Sequence, residues 1–290
     1  MRILVTGSGG QVAQSLAERA GGHDLIFAAR PDFDLADPAS IERVVTTVHP
    51  DLIVSAAAYT AVDQAEDEPA LAMAVNGEGP GVLARAGARI GAPIIHLSTD
   101  YVFDGSLDRP WREDDPVAPL GVYGATKLAG EQAVRASGAR HVIVRTAWVY
   151  SPFGANFVKT MLRLAASRDS LGVVEDQRGC PTSAFDIADA ILGIVSSLER
   201  DAAGTRDGVY HFAGTGETSW AGFARAIFAQ SAALGGPSAE VNGIPSSAYP
   251  TRARRPTNST LDCERFAEAF GIRAPDWRVS LNEVLRRLLA

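Results

Sequence analysis

Cysteine is scarce: the 290 residues contain two, Cys180 and Cys263. Two cannot build a disulfide framework, so they read as structural thiols in a reducing compartment. Long apolar runs are missing as well. No stretch reaches the roughly 18 residues that a membrane span needs, and the opening apolar run is too short for a secretory signal. The expected setting is cytoplasmic, with no membrane contact. Positive charge is in deficit, with Lys plus Arg at 27 against Asp plus Glu at 34, a net charge of −7. That balance offers no broad attraction for nucleic acid or anionic lipid. Small anions can still be held by backbone amides and a few placed arginines. The five histidines (His23, His49, His96, His141, His211) show no close ligand spacing, so no metal centre is expected. His96, inside an apolar strand pattern, reads as a core residue. Neither a P-loop nor a nucleophile elbow occurs. Internal repeats and long linkers are absent too. Asn258-Ser259-Thr260 fits the glycosylation pattern but lacks an export signal to go with it.

What is present is enough apolar material, 46% of residues, to bury a core in one large or two smaller domains. Short apolar runs at 3–6, 25–28, 52–55, 94–98 and 142–146 read as strands covered on both faces. Helical patterns at 11–19, 40–48, 70–90 and 126–137 lie between them. Strand and helix in alternation predict parallel βαβ units in an α/β, doubly wound sheet. The second half is less regular. Helices are expected at 156–167, 185–198, 218–229 and 277–290, a strand at 209–213, and an ordered Pro- and Arg-rich loop at 249–260.

Four motifs carry chemistry. Gly7-Ser8-Gly9-Gly10-Gln11-Val12-Ala13 follows the first strand and opens the first helix. Glycines there let the backbone approach a pyrophosphate, and the helix N–H groups favour its charge. The second strand ends Phe27-Ala28-Ala29-Arg30, without the acid that would hold ribose hydroxyls. An arginine there suits a 2′-phosphate, so the cofactor expected is NADPH, with NADH as the alternative. Asp34 follows near the adenine position. Ser55-Ala56-Ala57-Ala58-Tyr59 ends the third strand with small side chains that leave room across it. Ser98-Thr99-Asp100 ends the fourth strand, where ligands of open α/β sheets bind. Finally, Tyr123 and Lys127 are four apart and share a helix face. A neighbouring ammonium is expected to lower the phenol from its ordinary value near 10 towards the range of a general acid.

Together these residues resemble the extended short-chain dehydrogenase/reductase superfamily, and within it the dTDP-4-dehydrorhamnose reductase family. The similarity also runs through Thr60-Ala61-Val62-Asp63, Arg145-Thr146-Ala147-Trp148-Val149-Tyr150, Asp176-Gln177-Arg178-Gly179-Cys180-Pro181-Thr182 and residues 249–259. The resemblance implies a Rossmann-type sheet with a smaller C-terminal substrate-binding domain. Residues 1–150 would form the dinucleotide-binding domain, with 183–203 returning to it, while 151–182 and 204–290 would make mainly the substrate domain. It also implies reduction of a nucleotide-linked 4-keto-6-deoxy sugar. Tyr123 would donate the proton, Lys127 would hold the nicotinamide ribose, and Thr99 would hydrogen-bond the carbonyl. Asp100 and Trp148 would line the sugar site. Gly7, Gly10, Gln11, Val12, Arg30, Asp34, Leu35, Ala57, Ala58, Tyr59 and Leu97 complete the expected cofactor set with Tyr123 and Lys127. Arg252 and Arg255 are the expected diphosphate partners, although Arg254 stands beside them. Some relatives bridge a dimer through magnesium held by acids of the first helix. Ser15 stands at such a position, so no metal is carried over, and a homodimer is left open. Two rivals remain: another nucleotide-sugar epimerase or dehydratase, and a non-catalytic dinucleotide-binding regulatory subunit.

Overall fold

The computed structural model describes residues 1–201 and 205–290. The chain opens with β1 (Arg2–Thr6), α1 (Gln11–Arg19), β2 (Asp24–Ala28), α2 (Pro38–Val48) and β3 (Leu52–Ser55). Next come α3 (Val62–Ala65) and α4 (Pro69–Met73), which a π-helical turn, Ala74–Glu78, joins to α5 (Gly79–Arg89). β4 (Ile94–Thr99), α6 (Val122–Arg135) and β5 (His141–Thr146) complete the first half. The second half runs β6 (Val149–Tyr150), α7 (Phe157–Ala165), β7 (Ser170–Val174), β8 (Arg178–Gly179), β9 (Thr182–Ser183) and α8 (Ala184–Arg200). It ends with β10 (Gly208–His211), β11 (Thr218–Ser219), α9 (Trp220–Ala233), β12 (Glu240–Ile244), α10 (Glu264–Phe270) and α11 (Trp277–Leu289).

Six strands form one parallel sheet in the order β2-β1-β3-β4-β5-β10. β3 and β4 are buried along their whole length, as strands covered on both faces must be. One face packs on α1 and α8, where Leu16, Ile191 and Ile194 meet Val5 and Val54. The other packs on α2, α5 and α6, where Ile41, Leu83 and Val134 meet Leu4, Ile53 and Ile143. Full burial of such side chains contributes roughly 1.5–3 kcal/mol each. From β1 the chain passes to β2 on one side, then returns to β3 on the other. That reversal opens a crevice beyond the strand C-termini.

The rest of the chain packs separately around Tyr150, Phe223, Trp277 and Leu281. A smaller cluster of Val102, Phe103, Trp111, Leu261 and Cys180 lies elsewhere, with Cys263 against it. Both cysteines are free. Helix α8 lies on the sheet, and β10 extends it beside β5, so the chain crosses back after leaving. The expected boundary between residues 203 and 204 lies outside the described residues.

Three expectations shift. The single helix at 70–90 is broken at 74–78, where the run Asn76-Gly77-Glu78-Gly79-Pro80-Gly81 is poor in helix formers. The helix placed at 218–229 starts two residues later and runs to Ala233, because the Ser219 hydroxyl caps it by accepting the Gly222 N–H. The strand placed at 209–213 ends at His211.

Candidate active site

The glycine turn forms as the sequence requires. Gly7 has φ +84°, in the left-handed region that disfavours side chains, and its N–H bonds the Ala28 carbonyl at 2.7 Å. Side chains added at Gly9 or Gly10 would project into open space, and no side chain caps α1. The helix N–H groups are therefore free to bind an anion. A cleft of about 450 Å³ lies over this turn. It is lined by Gly7, Arg30, Asp34, Leu35, Ala57, Ala58 and Tyr59, all expected cofactor residues, and by Ser8, Gly9, Ala29, Phe33, Leu71 and Val75, which were not. Volume, glycine cradle and the exposed helix start all fit a dinucleotide.

The other expected cofactor residues sit differently. Gly10 caps α1 with its backbone. The Val12 side chain packs into the core rather than the cleft. The Gln11 carboxamide oxygen accepts bonds from the Ser151 hydroxyl at 2.8 Å and Asn156 Nδ2 at 2.9 Å, tying the turn to the second half. Asp34 Oδ1 accepts the Ala36 N–H at 2.9 Å, so its carboxylate also shapes its own turn.

Asn76 was missed. Its carboxamide accepts the Tyr59 N–H at 2.8 Å and donates to the Tyr59 carbonyl at 3.0 Å. It also donates to Thr126 Oγ1 at 3.3 Å. The π-helical turn widens the helix at that point and aims Asn76 at the cleft wall. The clue in the sequence was an asparagine inside an otherwise apolar helix, followed by three glycines in five residues.

Thr99 ends β4, and its Oγ1 donates to Asp100 Oδ1 at 3.0 Å and accepts the Tyr101 N–H at 3.2 Å. Burial pushes the Asp100 carboxyl up to about 6, against the lowering effect of the Ser259 and Thr99 hydroxyls. Tyr123, the second residue of α6, faces Thr99 and Asp100. Its ring meets Tyr101 edge-on, with centroids 5.7 Å apart. Lys127, 3% exposed, donates from Nζ to the Leu97 carbonyl at 2.6 Å. Thr99, Tyr123 and Lys127 thus gather at the C-terminal end of β4.

The expected lowering of the phenol is reversed. Burial and then the Asp100 carboxylate push Tyr123 up to about 12, while the Thr99 hydroxyl works the other way. Lys127 is aimed at the strand carbonyl, and burial pulls its own ammonium down to about 8, opposed by Glu131. One turn further on, Glu131 forms a bidentate ion pair with Arg145, at 2.9 and 2.7 Å. Ser98 donates to the same carboxylate at 2.5 Å.

Trp148 has φ +47°, a conformation costing a non-glycine residue about 1–3 kcal/mol. It stacks on Trp220, with centroids 3.6 Å apart. A side chain at Gly179 would collide with its indole, so glycine is required there. Trp220, Phe157, Tyr249, Gln177 and Arg255 line a second cleft of about 400 Å³. Of the arginines in the 249–260 loop, Arg252 pairs with Asp67. Arg255 binds Asp63, with Nη2 2.8 Å from Oδ2. The two expected diphosphate partners are thus held by carboxylates of the first half.

Fold and site define a Rossmann-type, dinucleotide-dependent reductase framework, with its cleft at the sheet's switch point and a Thr–Tyr–Lys cluster beside it. The family model described as RmlD substrate binding domain matches residues 1–290, and the chain belongs to that family. A dTDP-4-dehydrorhamnose reductase of Sinorhizobium fredii is 47% identical over 290 residues, covering 100% of this chain and 98% of the relative. The crystal structure of such a reductase from Clostridium acetobutylicum superposes with a TM-score of 0.92 at 35% identity, over the whole of both chains. Another, from Bacillus anthracis in complex with NADP, gives 0.91 at 33% identity over 99% of each chain.

Proposed function

We propose that the protein reduces the C4 carbonyl of dTDP-4-dehydro-L-rhamnose to give dTDP-L-rhamnose, using NADPH in preference to NADH. The observation that carries this is the gathering of Thr99, Tyr123 and Lys127 at the end of β4, beside a cleft that fits a dinucleotide. When bound there, NADPH supplies the hydride. The residues of the chain supply orientation and the proton.

The Tyr123 phenol, held up near 12, keeps its proton at neutral pH and can give it to an oxygen that becomes strongly basic. Thr99 Oγ1 offers a second hydrogen bond to that oxygen as its charge grows, where stabilisation accelerates the step most. Lys127, one turn along α6 from Tyr123 and bonded to the Leu97 carbonyl, would hold the ribose. Asp100 and Trp148 would border the sugar. The 400 Å³ cleft suits the nucleotide end, offering the aromatic faces of Phe157, Trp220 and Tyr249 together with Gln177 and Arg255. Arg255 borders that cleft, and Arg252 lies on the same loop. Diphosphate oxygens would share these guanidinium groups with their carboxylate partners. The cofactor lobe would be residues 1–150 with α8 and β10, and the remainder would be the substrate lobe.

Purified protein should oxidise NADPH only when the keto sugar is added, with dTDP-L-rhamnose identified by NMR. Tyr123→Phe should lose turnover by about 10²–10⁴-fold and still bind NADPH. Turnover near wild type in that variant would remove the assignment.

A further inference from the structure

Two carboxylates on the short helix α3 and its C-terminal cap reach in different directions. Glu66 Oε1 accepts the backbone N–H of Val122, the first residue of α6, at 2.8 Å. α6 has no capping side chain of its own, since its N-cap is Gly121. A Cβ at Gly121 would lie 2.6 Å from Glu66 Oε1, so glycine there makes room for the borrowed cap. One turn earlier, Asp63 accepts bonds from the Ala253 N–H at 3.1 Å and from both terminal nitrogens of Arg255, at 3.2 and 2.8 Å. Arg255 also faces the Tyr101 phenol, whose ring lies edge-on to Tyr123. Val62, Glu66, Tyr101, Gly121, Ala253 and Tyr123 all border one small crevice.

We propose that Glu66 is a positioning residue for Tyr123, and that the Asp63–Arg255 pair anchors α3 so that Glu66 can act. Tyr123 is the second residue of α6. Its phenol is therefore set by the first turn, the part of a helix whose N–H groups have no internal partners and which frays first. A carboxylate fixed from outside the helix satisfies one of those groups and complements the helix dipole. Because Asp63 holds the loop over the nucleotide cleft, the same short helix ties that loop to the helix bearing the phenol. The inference rests on the proton-donor role of Tyr123.

The experiment compares Glu66→Ala, Glu66→Gln, Gly121→Ala and Tyr123→Phe in steady-state NADPH oxidation with the keto sugar, alongside NADPH binding and thermal melts. Glu66→Ala should lower kcat by about 10- to 100-fold, the scale of a small misplacement of a reacting group. The KM for the sugar and the Kd for NADPH should stay within about threefold of wild type on the same reasoning. Glu66→Gln keeps an acceptor oxygen and should recover most of kcat. Gly121→Ala displaces the carboxylate without removing it and should reproduce the kcat loss, which keeps the test open if Glu66→Ala does not fold. Wild-type kcat in both Glu66→Ala and Gly121→Ala would overturn the proposal, as would a glutamine variant no better than alanine. A fully active Tyr123→Phe would instead refute the catalytic reading, so the two failures are distinct.

Discussion

The carboxamide of Asn76 brackets the backbone of Tyr59, taking its N–H at 2.8 Å and donating to its carbonyl at 3.0 Å. One side chain thus does for Tyr59 what a neighbouring strand would do, just past the end of β3 where the sheet has stopped. Tyr59 lines the cleft over the glycine turn, so the cleft wall is held by a residue from the helical layer.

Asn76→Ala leaves both Tyr59 groups without that partner. Tyr59 is half-buried, so each lost bond costs about the net value of an intramolecular hydrogen bond, about 0.5–1.5 kcal/mol. The expected loss is about 1–3 kcal/mol in urea unfolding, accompanied by weaker NADPH binding. A variant with unchanged stability would show that the bracket is replaced without cost.

Glu131 and Arg145 are 3% and 5% exposed at their side chains and pair in bidentate fashion. Removing one partner from such a pair costs about 3–5 kcal/mol, because the other charge stays buried. Glu131→Ala should therefore unfold at clearly lower denaturant. It should also titrate Lys127 lower, since Glu131 holds that ammonium up. Chemical denaturation and the alkaline side of the kcat/KM profile check the two effects separately.

Lys127 supplies a pH prediction with a definite sign. Its ammonium is pulled from 10.5 to about 8 by burial. Above about pH 8 the native protein has lost this charge, so kcat/KM should fall there. Between about 8 and 10.5 the unfolded chain binds the extra proton, so this group's contribution to stability rises with pH across that window. Below 8 the cost of burying the cation is present in full. Lys127→Met should abolish turnover, raise the melting temperature at pH 7, and lose that advantage towards pH 10. A variant less stable than wild type at pH 7 would contradict this.

Arg30 lines the cleft over the glycine turn just past the end of β2, where the sequence has no acid for ribose hydroxyls. Arg30→Ala should lower kcat/KM for NADPH by about tenfold or more, the scale of a lost charge-assisted bond, and change that for NADH little. Equal losses with both cofactors would assign Arg30 to the pyrophosphate or to structure.

Much of the framework was legible in the chain. Periodicity located the strands of the main sheet to within a residue or two, because strands buried on both faces must be apolar throughout. The glycine turn was legible because the φ of Gly7, +84°, is costly for any residue with a side chain. Spacing alone put Tyr123 and Lys127 on one helix face. The state of the phenol was not legible. Its surroundings come from Asp100, Thr99 and Tyr101, and local sequence says nothing about how deeply they enclose it.

What the sequence determined by itself is therefore the α/β order, the glycine turn after the first strand and the sharing of one helix face by Tyr123 and Lys127, all fixed by contacts within a few residues. What only the tertiary structure decided is their electrostatics and support. Asn76 reaches Tyr59 across 17 residues, Glu66 reaches Val122 across 56, and Asp63 reaches Arg255 across 192. Burial and charge act through space, so the helix carrying Tyr123 is held by groups that no local pattern could have joined to it.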